Sequence, residues 1–291
     1  MVNGFSPAPS IAMQVHSLKA LHSFLVERVG FQTVEARFDE GVVLLLDSDG
    51  DPLLLADAAV EDVKAYLVGT QFVFQPGDTV GFRGEGIPWL RDAESIRQRI
   101  SSGFSIETRP WGERHVCIEM PDRYTLKFIA LGSLEHLLDW YETGCMRELT
   151  QVLEGLAEAE LDLQKAPEEW SIRYNVHHLA EVEGLYMMPI LVALAQSGAT
   201  LEEGPYDQKL WPEMLAYGRR ALEPSLAFIR AHRQRIAQIV RLVPDSWERF
   251  VFLGKGEHMR RLSVRAMIGI LVRHWMEHCD EIRVIRRAHD L

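Results

Sequence analysis

The chain has 291 residues, 47% of them hydrophobic and 25% charged, which is enough apolar material for two domains with cores of their own. Its formal net charge of -11 argues against a general nucleic-acid binder, whose affinity rests on neutralising phosphates. The N-terminal MVNGFSPAPS has no basic region followed by an apolar run, so no signal peptide is expected.

In chain order, SIAMQVHSL reads as a strand and KALHSFLVERVGF as an amphipathic helix ending at Gly30. TVEARFD and VVLLLDSDGDPLLLA read as three strands, the last two joined by a turn at Asp49 and Gly50. DSDGDP resembles a calcium loop superficially, but it lacks the glycine and the closing glutamate that such a loop needs. A second round follows: a strand in DTVGFRGEG, a helix in PWLRDAESIRQRI, then strands in FSIETRP, RHVCIEM and YTLKFIA, the last two joined at PDR. The pattern is a βαβββ unit written twice.

The period changes near residue 131, across the short linker IALGSLEH, and the pattern beyond it is helical throughout. Four long amphipathic segments are expected: LEHLLDWYETGCMRELTQVLEGL, NVHHLAEVEGLYMMPILVALAQSG, LEPSLAFIRAHRQRIAQIVRLV and SVRAMIGILVRHWMEHCDEIRVIRRAH. Ser171 and Ser263 stand where helix caps belong. The run LYMMPILVALA is too short for a membrane span and contains a proline. RAHRQR and RVIRR are interrupted by apolar residues at helical spacing and read as solvated helix faces. Cys117, Cys145 and Cys279 are far apart with no CxxC pair, so no disulfide framework is indicated and a cytoplasmic location fits. The fold class expected is α+β in two domains, residues 1–131 with paired βαβββ modules and residues 132–291 as a four-helix bundle.

His274 and His278 are four apart in the last helical segment, which stacks both imidazoles on one face. They can hold a metal, or they can be polar residues on a solvated face paired with carboxylates such as Glu181 and Glu277. A bundle builds metal sites from facing helices, and the second segment offers His177 and His178. Three histidines with an open position form a catalytic type of centre; imidazole suits zinc, nickel, iron or copper alike. Glu181, one turn beyond, is the candidate catalytic residue, placed to orient a ligand or accept a proton.

EEWSIRYNVHHLAEVE followed later by LVRHWMEHCDEIRVIR resembles the DinB/YfiT-like family of four-helix-bundle proteins, whose members show a Trp-Ser helix start, a His-Leu-Ala segment and a late HxxxH. The resemblance covers residues 133–291 and implies a divalent metal held by His178, His274 and His278, with His177, about 100° round the helix, the weaker candidate. Zinc or nickel is the metal expected, with identity open. The family's thiol-dependent S-transferases and its mycothiol-dependent isomerase imply a low-molecular-weight thiol as co-substrate. There a metal-bound thiolate attacks a small electrophile. Arg273, Arg283 and Arg286 are candidates to meet carboxylates of such a thiol, or else complement the helix dipole, and Cys279 is read as core.

FLVERVGFQTVEARFDEGVVLLLDSDGDPLLLAD and PWGERHVCIEMPDRYTLKFIA resemble the glyoxalase/bleomycin-resistance (vicinal-oxygen-chelate) superfamily over residues 10–131. Lys127 stands where that superfamily places a glutamate ligand, and His16 is off the usual early position, so a metal in this half is not expected. Non-metal members bind hydrophobic small molecules in a concave sheet, which Trp111 and Phe82 would line. The joint expectation is a metal-dependent, thiol-transferase-like detoxification enzyme. Its first domain would bind substrate, and no nucleic acid or membrane partner is expected. Dimerisation is common in both families and implies a homodimer. The competing reading is a non-catalytic, resistance-type protein that sequesters a small molecule, with a structural bundle.

Overall fold

In the computed structural model, residues 9, 11–47, 52–67, 72–75, 78–83, 93–100, 103–120, 123–130, 132–255 and 259–291 are described. The chain divides into two units, Met1–Ser133 and Leu134–Leu291.

Within the first unit, the alternating pattern produces two sheets of matching topology. Strand β1 (Ile11–Val15) leads into α1 (Leu18–Phe24), which continues as a π-helical turn Leu25–Val29 and stops at Gly30, whose φ of 101° suits a residue without a side chain. Strands β2 (Gln32–Arg37), β3 (Val42–Leu46) and β4 (Pro52–Asp57) follow as an antiparallel run, and β4 closes beside β1 in parallel. The second module repeats this: β6 (Thr79–Arg83), α2 (Ala93–Arg99), then β7 (Phe104–Thr108), β8 (Arg114–Glu119) and β9 (Thr125–Ala130), with β9 parallel to β6. One apolar cluster joins the modules, running from Met13 and Leu21 to Ile96, Val116 and Phe128. The buried Tyr124 hydroxyl lies 2.6 Å from the Gln14 carbonyl and 2.8 Å from that of Phe74, spanning from the second module to the first.

Two elements escaped the sequence pattern. A 3₁₀ turn at Val63–Tyr66 and the short strand β5 (Phe72–Phe74), paired to β1, follow the first module. Val60, Val63, Tyr66 and Leu67 pack on Ala12, Val42, Leu44, Leu54 and Ala56, so the chain itself covers the face of the first sheet opposite the main core. The expected turns at Asp49–Gly50 and Pro121–Asp122, the start of the helix expected in PWLRDAESIRQRI, and the Phe82 side chain lie outside the described residues.

The second unit is a bundle of four helical stretches. The first is α3 (Leu134–Asp139) and α4 (Cys145–Leu153), joined by a π-helical turn Trp140–Gly144. The others are α5 (Ile172–Ala195), α7 (Leu222–Leu242) and α8 (Val264–Ala288), while a short α6 (Leu210–Met214) lies in the connection between α5 and α7. The unit is not helical throughout, as the sequence suggested. β10 (Ala199–Leu201), β11 (Phe250–Leu253) and β12 (Arg260–Ser263) make a three-stranded sheet that carries the chain out of α5 and into α8. Each of these strands is only three or four residues long, too brief for a period to show. The run read as too short for a membrane belongs to α5, which is long and apolar enough to cross one; half of its apolar stretch is buried, and the helix also carries Glu183.

RAHRQR corrects a second expectation: Arg233 is fully buried and His232 nearly so. The Arg233 guanidinium grips the Glu183 carboxylate with two donors, Nε at 2.7 Å, and donates from a third nitrogen to the Tyr141 carbonyl at 2.9 Å. Its flat face lies 4.0 Å from the Trp275 ring centre and 4.7 Å from that of Tyr141. Burial pushes the Glu183 carboxyl up, but Arg233 and His232 outweigh that and hold it below its ordinary range. Replacing Arg233 with Met leaves Glu183 buried without its cation, an expected loss of about 3–5 kcal/mol in urea unfolding. Arg241→Met, at half-exposed ion pairs with Glu135, Asp139 and Glu142, should cost about 1 kcal/mol or less.

Candidate metal centre

Ser171 starts α5: its hydroxyl accepts the Tyr174 backbone N–H at 3.2 Å, satisfying a donor the helix cannot. Arg173, buried in the first turn, bonds Asp162 at 2.6 Å and the Arg220 carbonyl at 3.1 Å, which fixes the helix start against its neighbours. Ser263 caps α8 in the same way through the Ala266 N–H at 3.1 Å. His178 therefore enters from the second turn of α5, and His274 and His278 from the middle of α8.

The three rings meet through their Nε2 atoms. His178 Nε2 and His278 Nε2 each lie 3.1 Å from His274 Nε2. All three ligand atoms fall within 4.8 Å of one another, in the one group of three or more His, Cys, Asp or Glu with this geometry among the described residues. Metal–nitrogen bonds of about 2.0–2.1 Å at tetrahedral angles set neighbouring nitrogens roughly 3.3 Å apart, so the spacing suits one ion. Burial, then the charges of the other two rings, lowers the His178 pKa to about 3. Burial and His278 lower that of His274 to about 4. Neutral imidazoles keep the lone pairs that a metal needs.

The outer nitrogens are tied. Tyr206 Oη lies 2.6 Å from His178 Nδ1, while Asn175 Oδ1 at 2.6 Å and Glu281 Oε2 at 2.8 Å face His278 Nδ1. The Trp170 indole meets His178 edge to face at 4.7 Å and stacks on His278 at 6.0 Å. A cavity of about 630 Å³ opens beside His278, lined by Trp170, Asn175, Gln208, Glu277 and Glu281 among others.

His177 is turned away from the cluster. Its Nε2–H donates to the Arg220 carbonyl at 3.2 Å and its Nδ1 accepts from the Ser225 hydroxyl at 2.9 Å, and burial lowers its pKa to about 4. Glu181 pairs with Arg220 at 3.2 Å; the described partners of the triad's outer nitrogens are Tyr206, Asn175 and Glu281 instead. Arg283 bonds Asp280 and Glu148, and Arg286 donates to the Val152 and Glu154 carbonyls that close α4, so both hold the bundle together. Burial pushes the Cys279 thiol up to about 12, a core cysteine and not a nucleophile.

In the first unit, His16 is exposed after β1, and Lys127 is half-buried opposite Cys117 and Gly81. Trp111 is buried. A pair the sequence reading missed, Glu113 and His115, is buried near the start of β8 with Nε2 2.5 Å from Oε1. Asn175, inside an apolar helical run, and Glu281, one turn after His278, carry a sequence signal as ligand partners. Tyr206, in the irregular GPYDQ, carries none.

The sequence model of the DinB superfamily matches residues 135–282. A protein of Oceanobacillus iheyensis, named as a candidate metal-dependent hydrolase, is 27% identical over 145 residues, 50% of this chain and 81% of that protein. Among solved structures, YfiT from Bacillus subtilis is described as a probable metal-dependent hydrolase with an unusual four-helix bundle topology. It is 22% identical over 54% of this chain and 90% of its own, with a TM-score of 0.48. A possible glyoxalase from Bacillus cereus is 20% identical over 42% of this chain and 97% of its own, with a TM-score of 0.28.

Because the unfolded chain binds protons on His177, His178 and His274 near pH 6.5 and the folded chain resists until about pH 4 or below, acid favours unfolding. The metal-free protein should lose thermal stability steadily as pH falls from 6.5 toward 4, with a plateau above that range. Melting curves across the range test this; a flat midpoint would contradict it.

Proposed function

The chain belongs to the DinB superfamily, and on that premise we propose that its second unit is a metal-dependent enzyme in which His178, His274 and His278 hold one divalent ion. The observation that carries this reading is the convergence of three Nε2 atoms, those of His178 and His278 each 3.1 Å from that of His274, with the outer nitrogens of His178 and His278 occupied by hydrogen-bonding partners. When bound, such an ion supplies a Lewis acid that brings a small nucleophile to reactivity near neutral pH.

Everything else is work for the chain's own side chains. Trp170 packs against two of the three rings, edge to face on His178 and stacked on His278. Tyr206 and Asn175 hold the rings in place. Glu181, held by Arg220, is within electrostatic reach of Tyr206 and acts on the site through that phenol, not by touching a ligand ring. The cavity beside His278 carries Glu169, Glu277, Asp280 and Glu281 against one Lys165, so it favours a neutral or cationic compound.

The specific reaction proposed is transfer of a low-molecular-weight thiol to a small electrophile, with the first unit capturing the compound. The half-buried Cys117, Thr125 and Lys127, on the face of β8 and β9 away from the main core, support that role. Hydrolysis is the second reading, favoured by the name of the Oceanobacillus relative. Zinc and nickel suit the all-imidazole set equally.

The test is metal content by elemental mass spectrometry on tag-free protein beside a His274→Ala/His278→Ala variant. One ion per chain in the parent and none in the variant is expected. An absence from both after incubation with zinc, nickel and manganese would overturn the proposal. With metal present, consumption of an electrophile that depends on added thiol supports transfer, and consumption without thiol supports hydrolysis.

A further inference from the structure

The hydrogen bonds around the triad fix more than ring positions, because each neutral imidazole carries one hydrogen and must place it on one of two nitrogens. His278 Nδ1 faces two acceptors, Asn175 Oδ1 and Glu281 Oε2. The Asn175 amide is oriented by its own nitrogen, which donates to the Ser171 carbonyl at 2.9 Å, so its oxygen is the end turned to the ring. The Glu281 carboxylate places a second oxygen within hydrogen-bond distance of that nitrogen, at 2.8 Å. The hydrogen of His278 therefore sits on Nδ1, and its Nε2 is bare.

The consequence runs round the cluster. A bare His278 Nε2 lying 3.1 Å from His274 Nε2 needs a donor there, so His274 carries its hydrogen on Nε2. His178 Nε2 lies 3.1 Å from that same nitrogen; a second hydrogen would collide with the first, so it too is bare. The His178 hydrogen is then on Nδ1, where Tyr206 Oη at 2.6 Å is its acceptor. Tyr206 is braced for this: its ring meets Trp211 at 5.0 Å, and the next residue, Asp207, accepts the Lys209 and Leu210 N–H groups at 2.8 and 3.0 Å.

We propose that Tyr206 is a positioning residue for the metal ligand His178, and that with Asn175 and Glu281 it presets two rings as Nε2 ligands, leaving His274 as the single ring that must move its hydrogen from Nε2 to Nδ1 when a metal enters. This rests on the reading of the triad as a metal site. It makes His274 the one ring of the set whose tautomer changes on binding and gives the connection between α5 and α7 a part in metal binding that its irregular sequence does not advertise.

The test begins without metal. Imidazole nitrogen NMR on metal-free protein labelled with ¹⁵N-histidine, at alkaline pH where the rings are neutral, reports which nitrogen of each ring carries hydrogen; single His→Gln variants assign the signals. Nδ1–H for His178 and His278 with Nε2–H for His274 is expected. In Tyr206→Phe, His178 should become a mixture of tautomers, and zinc affinity measured by competition with a chromophoric chelator should fall about 10–100-fold. An Nε2–H signal for His178 in the parent would overturn the inference, as would unchanged tautomers and unchanged zinc affinity in a folded Tyr206→Phe. If that variant fails to fold, the parent spectrum alone decides. A parent with the expected tautomers that takes up no zinc supports this inference and overturns the proposed function, so the two failures are separable.

Discussion

Arg233 and Glu183 form an ion pair with no access to water, and each must find in the protein every hydrogen bond that water would have supplied. The partners they recruit come from all four helical stretches: Glu183 from α5, Arg233 and His232 from α7, Tyr141 from the π turn of the first stretch, and Trp275 from α8. A leucine in place of Arg233 could pack against its neighbours in several registers. A guanidinium that puts two donors on one carboxylate oxygen and stacks on one indole has a single arrangement.

That arrangement governs the triad. Trp275 stands between His274 and His278 in sequence, and it is pinned twice, by the Arg233 face and by its Nε1–H donated to the Cys145 carbonyl at 2.8 Å. Sliding α8 by one residue would rotate both histidines by about 100° and carry them away from His178. The same charges are felt at the site, since Glu183 and Arg233 both act on His274. A network with no role in ligation thus sets the geometry and part of the electrostatics of ligation.

Legibility of the sequence followed the length over which each signal repeats. The four bundle helices and the two βαβββ modules have long or repeated periods, and their residues could be read directly. His274 and His278 were legible because one helix carries both. His178 was distinguishable from His177 only through family resemblance, since the two are adjacent and either could face inward; the structure gives the physical reason in the Ser225 hydroxyl and Arg220 carbonyl that claim His177. Arg233 was misread because an arginine among polar neighbours at helical spacing looks solvated, and its partner Glu183 lies 50 residues earlier. Tyr206 and the strands β10 to β12 were invisible for a related cause: their partners come from tertiary contacts that no local pattern encodes.

The distance along the chain between the ligands has a consequence for assembly. His178 and His274 are separated by 96 residues, with a sheet, a short helix and all of α7 between them. As the ribosome extends the chain, α5 emerges with a single ligand and nothing to close around. The other two arrive together on α8, after every intervening element. The three-histidine site therefore cannot form before α8 is made, and an ion held by all three rings reports that α8 has docked. Binding to the folded form alone then draws the equilibrium toward the docked state. The metal, where held, acts as a clasp between α5 and α8.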